Sequence, residues 1–572
     1  MVKGALVLVL HSHLPYVLSH GKWPHGMDWL NEAAAETYLP LLRVCDRLVA
    51  EGISPKITIG LTPVLSEMLA DESFKDEFGE YLRQKIEAAG ADAGEFYRTG
   101  DSCRHDLARM WEDFYRDTAD YFANDLSRDL PGAFRRLQDS GHIEIITCPA
   151  THGYLPLLGY DTAVQAQIKL GVKTYEKHYR RKPRGIWLPE CAYRPGYEWT
   201  PPVEGFGGPR PRKGIEEFLS ENGLEYFIVD SHLLKGGEAI GVYLDRFSSL
   251  KQLWANFESQ YEPIKEDFEK TPHKLYYVSM VEGKAPVAFF TRDPDTGLQV
   301  WSGEHGYPGN GWYLDFHKKH FPGGHRYWRV TSVKADLADK EVYVPEETDG
   351  RIREQAYHFK TLVRDLCIAE GEDGGRPPMI CAPFDAELFG HWWFEGPRWL
   401  YSMLKEVALD PEIEAMTMAE YRDRYAPVEV VSLPEGSWGK GGFHWIWLND
   451  WTKWTWKHIY EAEQIMGETA GRYSGRTDEP AAGLLKLLAR ELVLLESSDW
   501  QFLISTWSAR DYAEMRFANH YSDFKKVLEL LEKAAAGNAL SDGEYELVRE
   551  ISERDRLFEE IDPSWWAKVE YP

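Results

Sequence analysis

The chain has 572 residues, 43% of them hydrophobic and 27% charged, a composition typical of a folded protein with two to four domains. Its formal net charge of −27 argues against nucleic acid and against an anionic membrane as partners. Aromatic residues make up 14% of the chain, and aromatic faces stack on sugars as readily as they fill cores. An uncharged polymer such as a glucan is compatible with both features.

The amino-terminal run MVKGALVLVL is too short for a membrane span and ends at two histidines, so we predict a strand there. The six cysteines are scattered and form no C-x-x-C pair, which argues against a zinc framework and a dense disulfide scaffold. We therefore expect a cytoplasmic protein without a membrane span.

Seven short apolar runs with the composition of strands are separated by long helical stretches, the pattern of a parallel α/β fold. The runs cover residues 4–10, 56–60, 142–148, 185–188, 226–230, 287–291 and 379–382. Because no convincing eighth run exists, we predict a barrel of seven strands.

Polar residues follow each predicted strand directly. In chain order they are His11 and His13, Thr62, Thr151 and His152, Glu190, Asp230 and His232, Arg292 and Asp293, and Asp385 and Glu387. Active sites of β/α barrels lie at the C-terminal ends of the strands, so these residues predict one converging pocket.

Three stretches differ from the barrel pattern, which is otherwise assigned to residues 1–395. Residues 72–140 are polar with apolar positions at helix spacing, which predicts an inserted helical subdomain. Residues 231–285 form a long connection at the predicted catalytic face. No strand pattern is apparent from residue 396 onward, so residues 396–572 are predicted to form an all-α domain.

The strongest catalytic candidates are Glu190 in GIWLPECAYRP and Asp385 in CAPFDAELFGHWWFEGP. Apolar and aromatic surroundings desolvate carboxyl groups and separate the pKa values of a pair. Retaining glycosidases use two carboxyl groups, one as nucleophile and one as acid and base. The alternative is that either acid caps a helix or pairs with an arginine.

The motif HSHLPY is ambiguous. His11 and His13, together with His152 and Asp385, are compatible with substrate contacts or with a metal hydrolase. A third interpretation is that one histidine is buried in the core with its hydrogen bonds formed to protein groups.

Trp301 and Trp438 lie in glycine-rich segments, so we predict exposed rings that stack on sugar. Trp447, Trp451, Trp454 and Trp456 follow closely, and some of these must pack between barrel and helical domain.

HSHLPY, GLTPVLSEML, CPATHGYLPLL, WLPECAYRP and PFDAELFGHWWFEGP resemble, in order, the motifs of family 57 glycoside hydrolases. WSGEHGYPGNGWYLDF, GSWGKGG and the helical tail SSDWQFLISTWSARDYAEMRF are similar to its branching-enzyme subgroup. The resemblance covers nearly the whole chain.

The resemblance implies a (β/α)7 barrel with an inserted helical subdomain and a C-terminal all-α domain, and a retaining mechanism without metal or other cofactor. It also implies a nucleophile at Glu190 and a general acid/base at Asp385. The implied substrate contacts are His11, His13, His152, Trp23, Trp29, Trp301, Trp438, Trp447 and Asp499. For the tyrosine that shields the intermediate from water, Tyr243 is the nearest candidate, although the 231–285 segment lacks a clear match.

The predicted activity is 1,4-α-glucan branching, in which an internal α-1,4 linkage is cleaved and the chain is transferred to a 6-hydroxyl. The expected partner is α-1,4-glucan (amylose, amylopectin or glycogen), and the expected state is a monomer. Three alternatives stay open: a 4-α-glucanotransferase or α-amylase with the same site, a metal-dependent hydrolase or deacetylase, and a catalytically silent glucan-binding protein.

Overall fold

A computed structural model describes residues 3–236, 247–258, 261, 265, 269–302 and 306–567. Within these residues the strands are β1 (Gly4–Ser12), β2 (Ile57–Leu61), β3 (Ile143–Ile146), β4 (Tyr197–Trp199), β5 (Arg210–Arg212), β6 (Tyr226–Val229), β7 (Tyr276–Val278), β8 (Ala288–Thr291), β9 (Met379–Asp385), β10 (Ile413–Ala415) and β11 (Val430–Val431).

The helices over the same residues fall into two groups. The first accompanies the strands: α1 (Met27–Ala33), α2 (Leu39–Ala50), α3 (Pro63–Ala70), α4 (Glu72–Thr99), α5 (Ser102–Asp120), α6 (Leu130–Asp139), α7 (Asp161–Tyr179), α8 (Ile215–Glu221), α9 (Ser231–Lys235), α10 (Ser248–Phe257), α11 (Pro294–Trp301), α12 (Thr348–Glu370), α13 (Gly396–Leu409) and α14 (Met418–Arg424). The second forms the C-terminal part: α15 (Lys453–Tyr473), α16 (Ala481–Leu495), α17 (Asp499–Thr506), α18 (Arg510–Ala535) and α19 (Asp542–Arg554).

Parallel pairings link the central strands into one continuous path. β1 pairs with β9 on one side and with β2 on the other, and β2 pairs with β3. Isolated parallel bridges join Thr147 to Ile186 and Gly185 to Tyr226, which begins β6. β6 pairs with β8, and a bridge from Arg292 to Cys381 reaches β9. All nine residues of β1 are buried, as expected of a parallel strand covered on both faces.

The predicted parallel α/β architecture is confirmed, with one strand reduced in extent. Six of the seven apolar runs form strands of the path, whereas residues 185–188 contribute only two bridges. The C-terminal ends of all seven segments lie at one edge, and register pairing sets His11 of β1 beside Asp385 of β9.

A long helical hairpin follows β2 and α3, as the polar stretch 72–140 predicts. α4 begins after Asp71, whose carboxylate accepts from the Ser73 N–H at 2.8 Å, and ends at Gly100 with φ +74°. Asp101 then caps α5 by accepting from the Arg104 N–H at 3.0 Å. α6 packs on β3 and α7, so it belongs with the helices that accompany the parallel strands, while the independence of the hairpin as a subdomain stays a prediction.

The expectation that no strand follows residue 396 is wrong at two places. β10 pairs in parallel with residues 4–6 of β1, and β11 pairs with β7. α13 also packs on α2 and α12, so residues 396–431 extend the α/β part. Strands of two and three residues are too short to produce a periodic signal, which is why the sequence pattern missed them.

From Lys453 to Arg554 the regular elements are all helices, and they pack against one another and against the barrel. Several contacts join the two parts, among them the hydrogen bond that His20, after β1, donates to the Asp555 carboxylate at 2.6 Å. All six cysteines are free thiols, and five are buried. None of the helices in the described ranges is long and apolar enough to cross a bilayer.

Candidate active site

Glu190 lies on a strained turn at the edge where the strands end. The residues Pro189–Cys191 form a short 3-10 turn, in which Glu190 has φ +60° and Cys191 has φ +47°. Consecutive non-glycine residues in the left-handed region cost about 1–3 kcal/mol each and occur mainly at functional sites. The turn places a buried carboxyl group directly after the fourth barrel segment.

Trp438 holds that carboxyl group. Its indole N–H donates to Glu190 Oε2 at 2.6 Å, and its backbone N–H donates to the Glu190 carbonyl at 3.1 Å. Burial raises the pKa of Glu190 to about 8; the hydrogen bond from Trp438 opposes the shift, and the charges of Asp385 and Asp499 add to it. The indole is therefore the contact that favours the ionised form.

Two further carboxyl groups, those of Asp385 and Glu387, lie at the end of β9. Asp385 ends β9 and is partly exposed, and its charge raises the pKa of both Glu190 and Glu387. Burial is the main cause of the rise in the pKa of Glu387 to about 8, which the hydrogen bond from Tyr38 at 2.5 Å opposes. Glu387 also accepts from the backbone N–H of His13 at 3.2 Å.

Three histidines form a stacked group at the ends of β1 and β3. The ring centres of His13 and His152 lie 4.0 Å apart, and Nε2 atoms of His11 and His152 lie 3.2 Å apart. Burial and then the neighbouring histidines lower the pKa of His11 and of His152 well below the ordinary value. Both rings are thus neutral near pH 7 and suited to hydrogen bonding with hydroxyl groups.

The C-terminal helices contribute Asp499 to this group. His13 Nε2 donates to Asp499 Oδ2 at 2.9 Å, and Ser497 Oγ donates to the same oxygen at 2.6 Å. Burial acts to raise the pKa of Asp499, but the charge and hydrogen bond of His13 outweigh it and lower the pKa. Asp499 begins α17, so the N-terminus of a C-terminal helix contributes to the group of residues at the strand ends.

His13, His152 and Asp499 bring three donor atoms within 4.8 Å of one another, the set that a metal would need. The rings of His13 and His152 are stacked, with only 13° between their planes. Imidazole lone pairs lie in the ring plane, so two stacked rings do not direct them to a common ion. This geometry favours hydrogen bonding to a polyol over metal coordination.

We expect Asp499→Asn to lower kcat/KM about 100-fold, because an amide no longer fixes the His13 tautomer and orientation. The matched control is Ser497→Ala, which removes the other hydrogen bond to Asp499 and leaves His13 in place. The effects of the two substitutions are measured from initial rates and their pH profiles. Equal losses in the two variants would contradict a specific positioning role for Asp499.

A large aromatic cavity of about 1150 Å³ reaches the segment that follows β9. It is lined by α1, by α4 of the hairpin, by residues 308–340 and by α17, and it reaches Leu388, three residues beyond Asp385. Its aromatic walls include Trp23, Trp29, Trp301, Phe316, Phe321, Trp392 and Phe502. Neither Glu190 nor Asp385 is among the described residues that line it, so the cavity lies next to the acids rather than around them.

The predicted tryptophans separate into two classes. Trp23 is 71% exposed and Trp29 is half-buried, and both line the cavity. The expectation of exposed rings at Trp301 and Trp438 is wrong. Trp301 ends helix α11 and only borders the cavity from a buried position, and Trp438 is buried over Glu190.

Trp447 is fully buried and stacks on Tyr154, with ring centres 4.5 Å apart. The ring packs the core beside the site, and its role as a sugar platform stays a prediction. Tyr243 falls outside the described residues. The sequence reasoning missed Trp187, which stacks on His11 at 4.4 Å, and Tyr38, which hydrogen-bonds Glu387.

Comparison with known proteins agrees with this geometry. Residues 7–325 match the model of glycosyl hydrolase family 57. The chain belongs to this family. Residues 458–566 match the model of the C-terminal domain of 1,4-alpha-glucan branching enzymes, so the subgroup that the motifs indicate is also confirmed.

Relatives with names or solved structures cover almost the whole chain. A 1,4-alpha-glucan branching enzyme of Thermococcus kodakarensis is 43% identical over 98% of this chain and 78% of its own length. The crystal structure of a family 57 branching enzyme from Pyrococcus horikoshii is 40% identical with a TM-score of 0.88, covering 100% of this chain and 98% of that chain. The alpha-amylase AmyC of Thermotoga maritima is 28% identical with a TM-score of 0.79, covering 99% of this chain and 100% of that one.

Proposed function

We propose that this chain is a 1,4-α-glucan branching enzyme that cleaves an α-1,4 linkage and transfers the released chain to a 6-hydroxyl. The observation that carries the proposal is the hydrogen bond from His13 to Asp499 at 2.9 Å. Asp499 belongs to the segment that matches the branching-enzyme C-terminal domain, so the part that characterises the subgroup also supplies a residue of the site.

We infer that the frame of the site is a (β/α)7 barrel, made of six strands and the bridged segment at 185–186. We propose that the helical domain begins at residue 453 rather than at residue 396, and the pairing of β10 with β1 and of β11 with β7 supports this boundary. A cytoplasmic location and a monomeric state stay predictions.

In the proposed mechanism the Glu190 carboxylate attacks the anomeric carbon from the β face while Asp385 protonates the departing glycosidic oxygen. The glycosyl ester on Glu190 is then attacked by a sugar 6-hydroxyl, whose proton passes to Asp385. The indole N–H of Trp438 orients Glu190 throughout. The neutral His11 and His152 and the Asp499-bound His13 offer hydrogen bonds to the hydroxyls of the bound glucose.

The test is incubation of the purified protein with amylose, followed by proton NMR counting of α-1,4 and α-1,6 linkages. A rise in α-1,6 linkages without a matching rise in reducing ends supports branching. Shorter linear glucans with new reducing ends would instead indicate an α-amylase, the second candidate, which the similarity to AmyC favours. Redistributed chain lengths without branches or new reducing ends would indicate a 4-α-glucanotransferase.

The raised pKa of Glu190 predicts the shape of the pH profile. A nucleophile acts as the anion, so activity should increase as pH rises through the Glu190 pKa of about 8. Trp438→Phe removes the hydrogen bond that lowers this pKa, and the acidic limb of kcat/KM should move to higher pH by about one unit. Trp399→Phe, a buried tryptophan of α13, controls for the lost ring volume. If the Trp438→Phe limb does not move, the indole does not support the anion.

A further inference from the structure

Two tryptophans of the C-terminal part form a surface pair outside the catalytic site. The ring centres of Trp451 and Trp507 lie 5.1 Å apart, with 36° between their planes, and Trp507 is 48% exposed. Trp454 is 37% exposed, and its indole N–H donates to the Trp451 carbonyl at 3.0 Å. Large aromatic rings that stay exposed side by side mark binding surfaces more often than folding contacts.

The backbone beneath the pair is fixed by buried hydrogen bonds. The Asn449 side chain accepts from the Trp451 N–H at 2.9 Å and donates to Ser505 Oγ at 2.9 Å. Ser505 lies two residues before Trp507, so one buried amide links the segments that carry the two rings. The two backbone segments that carry the rings are thus linked before any ligand arrives, which reduces the entropy cost of binding.

Trp507 has a backbone conformation that a tryptophan rarely adopts. It follows the last residue of α17 with φ +57° and ψ +16°, the left-handed position that glycine or asparagine normally occupies at a helix end. The backbone alone would favour glycine there. The large side chain is therefore explained better by what its ring binds than by the turn.

The pair also adjoins the aromatic cavity, because Ser508 and Ala509, which directly follow Trp507, line that cavity. We propose that Trp451 and Trp507 form an accessory binding site for an α-1,4-glucan chain, separate from the residues around Glu190. Successive glucose units of an α-1,4 chain turn relative to one another. Two tilted indoles therefore match the apolar faces of such a chain better than they match those of a flat chain. The assignment to this glucan class rests on the proposed function.

The test measures polymer binding in a catalytically inactive background. Amylose affinity electrophoresis of Glu190→Gln is compared with that of Glu190→Gln carrying Trp451→Ala, Trp507→Gly or both. We expect the double substitution to raise the dissociation constant about three- to tenfold. Tyr545→Ala is the matched control, since Tyr545 on α19 is also 48% exposed. In the active enzyme, KM for amylose should rise by the same factor with little change in kcat.

Three outcomes would overturn the accessory site. One is unchanged retardation of the double variant on amylose. Another is a loss of amylose binding in Trp507→Gly that is accompanied by a lower melting temperature. Glycine suits the left-handed position, so a lower melting temperature would mean that the Trp507 ring is a packing residue. The last is a wild-type dimer that Trp507→Gly converts to a monomer, which would make the pair a contact between two copies. Failure of the proposed function can be distinguished from failure of the accessory site. The first would appear as a wild-type product without α-1,6 linkages, whereas the second is measured as amylose binding by the inactive Glu190→Gln variants.

Discussion

Replacing Glu190 with alanine should reduce branching of amylose by at least about 10⁴-fold, because the variant lacks the carboxylate that is proposed to form the glycosyl ester. Azide then reports the role of each carboxyl group with α-maltosyl fluoride as donor. In Glu190→Ala, azide fills the vacated space, forms the C–N bond from the β face as fluoride leaves, and gives β-maltosyl azide. In Asp385→Ala, Glu190 first displaces fluoride, and azide then displaces Glu190 from the opposite face to give α-maltosyl azide.

The anomeric configuration of the azide products therefore distinguishes the two assignments, and proton NMR coupling at the anomeric carbon measures it. Exchanged products would reverse the roles of Glu190 and Asp385. Glu387→Gln is the matched control, because it also removes a buried carboxyl whose pKa lies near 8 beside Asp385. It should form no glycosyl azide and retain more than about 1% of the activity.

The two proposed catalytic acids have local signals in the sequence. Glu190 and Asp385 each follow an apolar strand within a short run of Pro, Cys and aromatic residues. Glu387 has the same signal two residues after Asp385, and its apolar neighbours in FDAELF could have identified it as a buried acid. The local pattern agrees with burial at Glu190 and Glu387, whereas Asp385 is partly exposed.

The burial of Trp438 was not predictable in the same way. Glycines on both sides suggested an open loop, but these glycines allow close packing instead. A Cβ at Gly442, where φ is +68°, would lie 2.2 Å from His232 Nε2, and one at Gly436 would lie 2.5 Å from the Gly442 carbonyl. Glycine content alone does not distinguish an exposed loop from one pressed onto a core, because both need residues without side chains.

Contacts between distant parts of the chain could also not be predicted from the residue pattern. Asp499 meets His13 across 486 positions, and no spacing rule connects them. Only the resemblance to family members indicated Asp499. β10 pairs with β1 across about 400 residues through three residue pairs, which is a tertiary contact and not a periodic signal.

Replacing Arg292 with methionine should lower the free energy of unfolding by about 3–5 kcal/mol, the largest stability loss that we expect from one change near the site. Arg292 donates from Nε and Nη2 to the two oxygens of Asp230 at 2.9 and 2.8 Å, and both side chains are fully buried. The substitution leaves a buried carboxylate without its cation. Denaturant unfolding measures the loss, and Arg549→Met, which breaks an exposed pair with Glu546, should cost less than about 1 kcal/mol.

The pH dependence shows whether an uncompensated charge causes that loss. Burial acts to raise the pKa of Asp230, but Arg292 and then His232 outweigh it and hold the pKa below the ordinary value. This depressed pKa contributes stability above the unfolded-state pKa of about 4, and the contribution is lost as pH falls. Without Arg292 the pKa rises, so the deficit of Arg292→Met should be larger at pH 7 than near pH 4.

The double substitution Asp230→Asn with Arg292→Met removes both charges and should recover most of the stability at pH 7. A deficit that is equal at both pH values and remains in the double variant would mean that lost packing, rather than charge, destabilises the protein. The Arg292 guanidinium lies 5.5 Å from the Trp438 ring centre. We therefore also expect the acidic limb of the kcat/KM–pH profile of Arg292→Met to shift toward that of Trp438→Phe. The ion pair would then stabilise both the strand ends and the indole that orients Glu190.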